Sequence, residues 1–324
     1  MSDLLVGLLG ALLATNQPVA VSNLVVKPSG AAVSVTDTND PVEKEFQKLL
    51  EADDSSQEAV DQVIRDEDRF AAQGAAAPAG TVRDHIESRF APVGKGYEDF
   101  LKRHPDHARA RLAYGSFLDD LKDEEGAHDQ WEKARQLDPK NPATWNNLAT
   151  YYGHRGPITS AFDYFAKAIE LNPSEPLYYH SLGTTVYLFR QDAMEHFKIN
   201  EQQVFDKALD LYGRSLRLDP TNFILASDIA QTFYGITPPR TNAALLAWNY
   251  ALSIARDDIE REGVCVHLAR IKGGAGRFEE ARRHLDGVTN AMYADLKRRV
   301  LRSLDFKEAE ARGTNAPPAQ ANKK

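Results

Sequence analysis

The sequence predicts an all-α protein, a solenoid of antiparallel helix pairs with a small N-terminal extension. The first observation is a repeat: Pro105, Pro139 and Pro173 are separated by 34 residues each. The second is that each interval holds two amphipathic stretches with apolar residues at helical spacing. The third is that proline or glycine separates these stretches, where neither residue would continue a helix.

The interval that begins at Pro142 shows the pattern of one repeat most clearly. Its first helix places large and small apolar residues on one face, and its second helix does the same after Gly156 and Pro157. The residues of these two faces are Trp145, Leu148, Ala149, Tyr152, Ala161, Phe165 and Ala168. Small residues at Ala149 and Ala161 would let the two helices approach closely, and the large ones would fill the space beside them.

This arrangement resembles the tetratricopeptide repeat (TPR), whose signature is Trp-x2-Leu-[Gly/Ala]-x2-Tyr, then Ala-x3-Phe, then Pro. The preceding interval matches it in Gly115, Leu118, Ala127, Trp131 and Ala134, but it has Arg111 at the first signature position. The later intervals match less completely. The third holds extra residues at 187–200, which contain no strong helix breaker, so we expect both of its helices to be lengthened, with Asn200 as an N-cap.

These patterns predict six segments. They are an apolar helix and a small β-hairpin (1–40), an acidic helical segment with an Ala/Gly/Pro linker (41–80), N-terminal capping helices (81–107), a TPR solenoid of about five units (108–287), a C-terminal capping helix (288–311) and a disordered tail (312–324). The apolar run Leu4–Ala14 is open to two interpretations. One is a signal or envelope contact, and the other is a short helix packed on the body or in a dimer.

The resemblance implies a protein-binding scaffold whose concave groove is lined by the first helix of each pair. The groove residues expected on that basis are polar and mostly uncharged. They are Asn146, Asn147, Thr150, His154, His180, Ser181, Thr184, Tyr187, Ser227, Asp228 and Gln231. The first and fifth units would add Arg109, Leu112, Ser116, Asp119, His267 and Arg270.

One TPR ligand class is disfavoured by these same positions. TPR domains that hold chaperone carboxylate tails use a clamp of Lys or Arg with Asn. Asn147 occupies one clamp position, but Leu112, Ser116, Leu177 and Ser181 stand where the cations and their partner Asn belong. A carboxylate would therefore meet no charge-assisted donor in these units.

The chain of 324 residues has a formal charge of −8, and the segment 37–70 alone contains 12 acids and four bases. This segment is either a solvated helical face or an acidic docking arm for a basic surface. The acidic balance disfavours nucleic acid as a partner. No apolar run reaches the length of a membrane span, so a membrane partner is not expected. The expected partner is a protein or peptide, and self-association through the N-terminal segment is left open.

No residue pattern indicates an enzyme, a metal or a cofactor. The glycine-rich stretch 272–277 follows no strand, so it is a poor phosphate loop. His154 and His180 could approach each other, but two imidazoles without a third ligand make a weak metal site. Cys265 is alone and sits at a packing position. We therefore expect a non-enzymatic scaffold of cytoplasmic location, with an envelope-associated assembly or secretion factor and a His-based accessory module as alternatives.

Overall fold

Helices make up the regular structure of this protein, in a computed structural model that describes residues 40–73 and 79–313. Within these ranges there are fourteen α-helices, two short 3-10 turns and no strand. The predicted all-α fold of helix pairs is confirmed. The expected hairpin and apolar helix, most of the expected linker and nearly all of the expected tail lie outside the described residues, and the other predicted segment boundaries stay predictions.

The described residues belong to two compact units, which divide after Pro173. The first unit contains six helices: α1 (Pro41–Ala72), α2 (Ala79–Arg103), α3 (Ala108–Asp120), α4 (Glu124–Leu137), α5 (Pro142–Arg155) and α6 (Ile158–Leu171). Consecutive helices pack as the pairs α1/α2, α3/α4 and α5/α6.

The second unit contains the remaining eight: α7 (Pro176–Leu188), α8 (Arg190–Phe197), α9 (Glu201–Leu218), α10 (Phe223–Thr232), α11 (Thr241–Ser253), α12 (Asp258–Gly274), α13 (Phe278–Asp286) and α14 (Ala294–Ala311). Its pairs are α7/α9, α10/α11 and α12/α13, and α14 packs on the last pair. The segment before the first repeat is one continuous helix through Pro92, α2, and the expected final helix is present as α14.

Short polar residues start these helices where the sequence predicts turns. Asn141 accepts a hydrogen bond from the Ala143 amide and precedes Pro142 at the first helical position. Asn200 makes a capping box with Gln203 at the start of α9, as expected of it. Such caps satisfy amides that the helix itself cannot pair. Gly156, with a φ of 73°, ends α5 in a backbone conformation that favours glycine.

Close packing within each pair depends on small residues in the first helix. A Cβ added at Gly115 would collide with the indole of Trp131, and one added at Gly183 would lie 2.9 Å from the ring of Tyr212. Ala149 and Ala161 are fully buried in the α5/α6 pair. The aromatic ring of the second helix therefore occupies the space that the missing side chain leaves.

The first pair, α1/α2, was not anticipated as a pair. Phe46 packs on Phe100, with ring centroids 5.8 Å apart, and further along α1 the Asp53 carboxylate accepts a 2.7 Å hydrogen bond from Tyr97. Because residue numbers rise along α1 while those of the partners fall along α2, the two helices are antiparallel. No pattern in the sequence indicated that an acid on this helix would be buried.

The extra residues 187–200 differ from their expectation. They do not lengthen both helices of the third pair but form the separate helix α8, which ends where Lys198 adopts a left-handed conformation with φ of 55°. The buried Ala193 anchors this helix, and the Lys207 ammonium lies 4.2 Å from the centroid of the Phe197 ring. A left-handed residue other than glycine is uncommon and ends a helix without a proline or glycine signal.

We predict that the same substitution has opposite effects at two helical glycines. Gly183→Ala should lower the free energy of unfolding by about 1–3 kcal/mol, because the new methyl group overlaps the Tyr212 ring. Gly153→Ala should raise it by about 0.5–1 kcal/mol, because nothing lies within 4 Å of the new methyl group and alanine favours the helix. Urea denaturation measures both, and equal effects would contradict this account of the pairs.

We predict that the α1/α2 pair depends on the Tyr97 hydroxyl. Tyr97→Phe should destabilise the first unit by about 1–3 kcal/mol, because a buried carboxylate loses a donor. Burial raises the pKa of Asp53, so Asp53→Asn, which keeps an acceptor oxygen without the charge, should be tolerated or stabilising. Thermal unfolding of both variants tests this, and a larger loss for Asp53→Asn than for Tyr97→Phe would refute it.

Candidate functional site

In the first unit, α3 and α5 are the first helices of two successive pairs, and their polar side chains contact each other. The Asn147 amide donates a 3.2 Å hydrogen bond to the Ser116 hydroxyl, which in turn donates to the Leu112 carbonyl. Thr150 is half-buried one turn further along α5, and His154 is exposed at its end. Asn147, Thr150 and His154 therefore lie on one face of the helix, at the expected spacing.

Two of the residues expected in this groove are buried instead. Asn146 is 8% exposed, and its amide donates to the Asn147 side chain at 3.4 Å, while its own side-chain oxygen has no hydrogen-bond partner among the described residues. Leu112 is 2% exposed in a core cluster with Trp131. Both residues are rotated around their helix toward the paired helix. Asn146 therefore contacts the surface residue Asn147 from the interior, and Leu112 belongs to the core.

Helix α1 extends this polar face beyond what the repeats predicted. Glu43 accepts a 2.7 Å hydrogen bond from Arg109, and it also lies 3.2 Å from His107 Nε2. The guanidinium of Arg109 lies 5.2 Å from the centroid of the Phe46 ring. Arg109, an expected groove residue, is thus engaged by the acidic helix.

The acidic segment also pairs with bases of its neighbour. Arg103 donates to Glu45 at 2.8 Å, and these hydrogen bonds hold the pKa of Glu45 below its ordinary value. Together with the Glu43 contacts, this means that part of the negative charge of α1 is neutralised within the first unit. Of the remaining acids of α1, four are exposed, and the docking-arm interpretation stays a prediction for those: Glu51, Glu58, Asp61 and Asp68.

In the second unit, α7 and α10 repeat the same arrangement. His180 Nε2 lies 3.5 Å from the Asp228 carboxylate, and the Thr184 hydroxyl lies 3.2 Å from the Tyr212 hydroxyl. Gln231 is exposed and donates to Ser227 at 3.4 Å. Ser181, next to His180 on α7, is half-buried. These six expected groove residues therefore lie on the two first helices α7 and α10.

Tyr187, at the end of α7, is packed against neighbouring residues on several sides. Its hydroxyl approaches Gly235 so closely that any side chain there would collide with it. The Arg190 guanidinium lies 5.5 Å from the centroid of its ring, and Phe205 packs beside it at 6.2 Å. Gly235 is therefore required by the position of Tyr187.

A third contact joins the 3-10 turn Phe233–Gly235, which follows α10, to α12. The Tyr234 hydroxyl lies 3.0 Å from His267 Nδ1, and the Arg270 guanidinium lies 4.5 Å from the centroid of the Tyr234 ring. The imidazole is stacked on Trp248, with centroids 4.1 Å apart and planes 5° from parallel. Burial, assisted by the positive charge of Arg270, lowers the pKa of His267 to about 4. His267 is consequently neutral at physiological pH.

The residues considered for chemistry are two histidines and one cysteine. His154 belongs to the first unit and His180 to the second. Over residues 40–73 and 79–313, no group of three or more His, Cys, Asp or Glu residues is placed to hold a metal ion. Cys265 is half-buried, and burial raises the pKa of its thiol, which makes it a poor nucleophile. In the same part of the chain, no helix is long and apolar enough to cross a bilayer.

The fold and these faces define a class of protein, a helical-repeat protein whose paired helices expose one polar row. No protein-family model matches the chain. The photosystem I assembly protein Ycf3 of one strain of Prochlorococcus marinus is 30% identical over 158 residues, which are 45% of this chain and 89% of the relative.

Two solved structures share the fold. PilW, described as a widely conserved type IV pilus biogenesis factor, has a TM-score of 0.52 at 18% identity, over 66% of this chain and 91% of that one. The C-terminal part of a TPR repeat-containing protein from Cytophaga hutchinsonii has a TM-score of 0.51 at 14% identity, over 79% of this chain and 98% of that one. The chain belongs to the tetratricopeptide-repeat family, as its repeats predicted. None of these similarities indicates a catalytic family.

We predict that His267 makes the stability of the second unit depend on pH. Its pKa is lowered to about 4 in the folded chain from an ordinary value of 6.5. The unfolded chain therefore binds the proton more readily, and stability should fall as the pH drops from about 6.5 to about 4, by about 3 kcal/mol at most. His267→Phe, which retains the stack on Trp248, should flatten this part of the profile. Urea midpoints across this pH range test it, and parallel profiles would contradict it.

Proposed function

We propose that the chain is a non-enzymatic TPR scaffold that binds an extended segment of a partner protein along its first-helix faces. The family supports a role in protein interaction. The peptide site itself is our inference from the arrangement of side chains. The proposed contacts are Asn147, Thr150 and His154 in the first unit, and His180, Ser181, Thr184, Tyr187, Ser227, Asp228 and Gln231 in the second, with Asn146 orienting Asn147.

The observation that carries this proposal is a set of three polar contacts between successive pairs. Two join the first helices, and the third joins the 3-10 turn after α10 to α12. They are Asn147 with Ser116 at 3.2 Å, His180 with Asp228 at 3.5 Å, and Tyr234 with His267 at 3.0 Å. In every case the two side chains orient each other without being fully buried. Such side chains lose little further conformational entropy when a ligand binds, so they are suited to recognition.

The chemistry of these faces fits a polypeptide main chain. An extended peptide presents one amide donor and one carbonyl acceptor for each residue. Amides, hydroxyls and an imidazole can pair with both, because each of these groups donates, accepts or does both. Charged side chains are few on these faces. Affinity would therefore depend on main-chain hydrogen bonds and on adjacent side-chain pockets.

A second candidate role is that of an assembly factor, which holds a subunit of a larger complex before the subunit is incorporated. The similarity to Ycf3, whose name describes photosystem I assembly, favours it. Assembly requires binding that is specific but reversible, and a solvated polar face provides this better than a large apolar interface. A cytoplasmic location remains part of the proposal, and an envelope association would depend on residues 1–39, which lie outside the described part.

The proposed site predicts where a partner can be cross-linked. A photo-reactive amino acid placed at Thr184 should form an adduct with one specific partner in the native cell, whereas the same group at the exposed Arg214 of α9 should not. Mass spectrometry of the adduct identifies the partner and the segment that is bound. A precursor subunit of a multi-protein complex would support the assembly role, and a finished enzyme or receptor would favour the general scaffold.

Alanine variants then test the individual contacts. With the identified segment as a synthetic peptide, His180→Ala/Gln231→Ala and Asn147→Ala/Thr150→Ala should each weaken binding about tenfold, because each pair removes two hydrogen-bonding groups. Lys133→Ala/Gln136→Ala changes two solvent-accessible residues of the second helix α4 and serves as the control. Equal adduct formation at both photo-reactive positions, or unchanged affinity in both alanine pairs, would refute the proposed site.

A further inference from the structure

A groove in the second unit, between α12 and α14, has the features of a ligand site that the TPR signature does not specify. It forms an open cleft of about 350 Å³. The apolar floor is made by Leu296, Val300 and Leu304 of α14, and the two glycines that end α12 form the opposite wall. A Cβ on Gly273 would collide with Leu304, whereas nothing lies within 4 Å of the position that a Cβ on Gly274 would take. One glycine brings the helices together and the other leaves the groove open.

The charged side chains around this floor all have the same sign. Arg270, Arg299 and Lys307 line the cavity, and no acidic residue of the described chain does. A neighbouring surface depression, of about 520 Å³, shares Arg299 and adds Arg302 together with the ion pair Arg298–Asp295. The cationic rim therefore extends along the exposed side of α14 beyond the apolar floor, which belongs to the first cavity alone.

No carboxylate of the described chain neutralises these cations, and unlike other unpaired bases of the unit they are gathered around one apolar cleft. Elsewhere in the same unit, Arg256, Arg277 and Arg282 each form ion pairs with nearby carboxylates. Arg270, Arg299, Arg302 and Lys307 make no such pair among the described residues, although acids outnumber bases in the chain, 47 to 39. Like charges that share a small cavity repel one another, and an anionic ligand would relieve that repulsion.

We propose that the α12/α14 groove binds an acidic peptide segment that carries an apolar side chain. The apolar side chain would lie on Leu296, Val300 and Leu304, and its flanking carboxylates would pair with Arg270, Arg299 and Lys307. Charge complementarity identifies the ligand, and the apolar floor of the cleft distinguishes this site from a merely charged surface. The inference rests on the proposed function only in taking the ligand to be a polypeptide.

The position of Arg270 links this groove to the proposed peptide site. Arg270 lies over Tyr234, whose hydroxyl contacts His267, so the same first-helix face leads to the cationic rim. Helix α14 stands beside α12, where the first helix of a further pair would pack. A bound segment could thus place its acidic part on α14 while its main chain follows α10 and α12.

The test uses the full chain and a short fluorescein-labelled peptide with one phenylalanine between two runs of glutamate. We expect the peptide to bind saturably, as measured by fluorescence anisotropy. Replacing the glutamates of the peptide with glutamine should weaken binding, and so should replacing its phenylalanine with alanine. Arg299→Glu/Lys307→Glu should reduce affinity about tenfold or more, because it reverses two charges of the rim. The matched control is Arg217→Glu, which should bind the peptide as the wild type does. Arg217 is exposed on α9 and has no ion-pair partner in the described chain.

A steric variant tests the floor without altering charge. Gly274→Phe should fill the groove and abolish binding, whereas Gly287→Phe, at an equally open glycine outside the groove, should not. Circular dichroism confirms that both variants are folded. No binding by the wild type, or equal binding by the charge-reversed variant, would overturn the proposal. It would also be overturned if the phenylalanine made no difference and vesicles rich in phosphatidylserine competed as well as the unlabelled peptide, since that result would assign the rim to a lipid surface.

The outcome is separable from that of the proposed function. If Arg299→Glu/Lys307→Glu abolishes binding of the acidic peptide while cross-linking at Thr184 fails, the groove is a peptide site and the polar rows are not. If the polar rows bind the partner and the charge-reversed variant still binds the acidic peptide, the proposed function stands and this inference is wrong.

Discussion

The architecture depends on one packing constraint, the contact between a small residue in the first helix of a pair and a large ring in the second. Gly115 faces Trp131, and Gly183 faces Tyr212, with no room for a single methyl group in either case. A helix pair has too little apolar surface to be stable alone, so it must bury both of its faces against neighbours. The small residue determines how close the helices come and also which side of the first helix faces inward.

The polar rows follow from this constraint. Gly183 faces Tyr212 of its pair, and His180, Thr184 and Tyr187 lie together beside this contact on α7, because they are spaced i, i+4 and i+7. Asn147, Thr150 and His154 have nearly the same spacing on α5. Residues one step closer to the paired helix, such as Asn146 and Leu112, are buried. A shift of about 100° around the helix therefore separates a residue of the surface from one of the core.

The repeats made the pairs and most of the candidate surface predictable, because a 34-residue period specifies the rotation of every helix within it. Helix α1 could not be predicted as half of a pair. It carries ten acids and four bases, and its contact with α2 depends on a buried acid, Asp53, and its tyrosine donor, which no local pattern signals. Helix α8 was not predicted as a separate helix, because it ends at a lysine in the left-handed conformation and not at a proline or glycine.

The cationic groove shows why the overall charge of a chain is a poor guide to its ligands. A formal charge of −8 disfavoured nucleic acid as a partner, but the ten acids and four bases of α1 in the first unit carry −6 of that charge. Exposed charges are screened over about 10 Å at moderate ionic strength, so a ligand responds to the side chains that it touches and to few others. Around the α12/α14 cavity those side chains are Arg270, Arg299 and Lys307. They come from helices separated in sequence, and only their packing through Gly273 and Leu304 brings the three cations to one apolar floor.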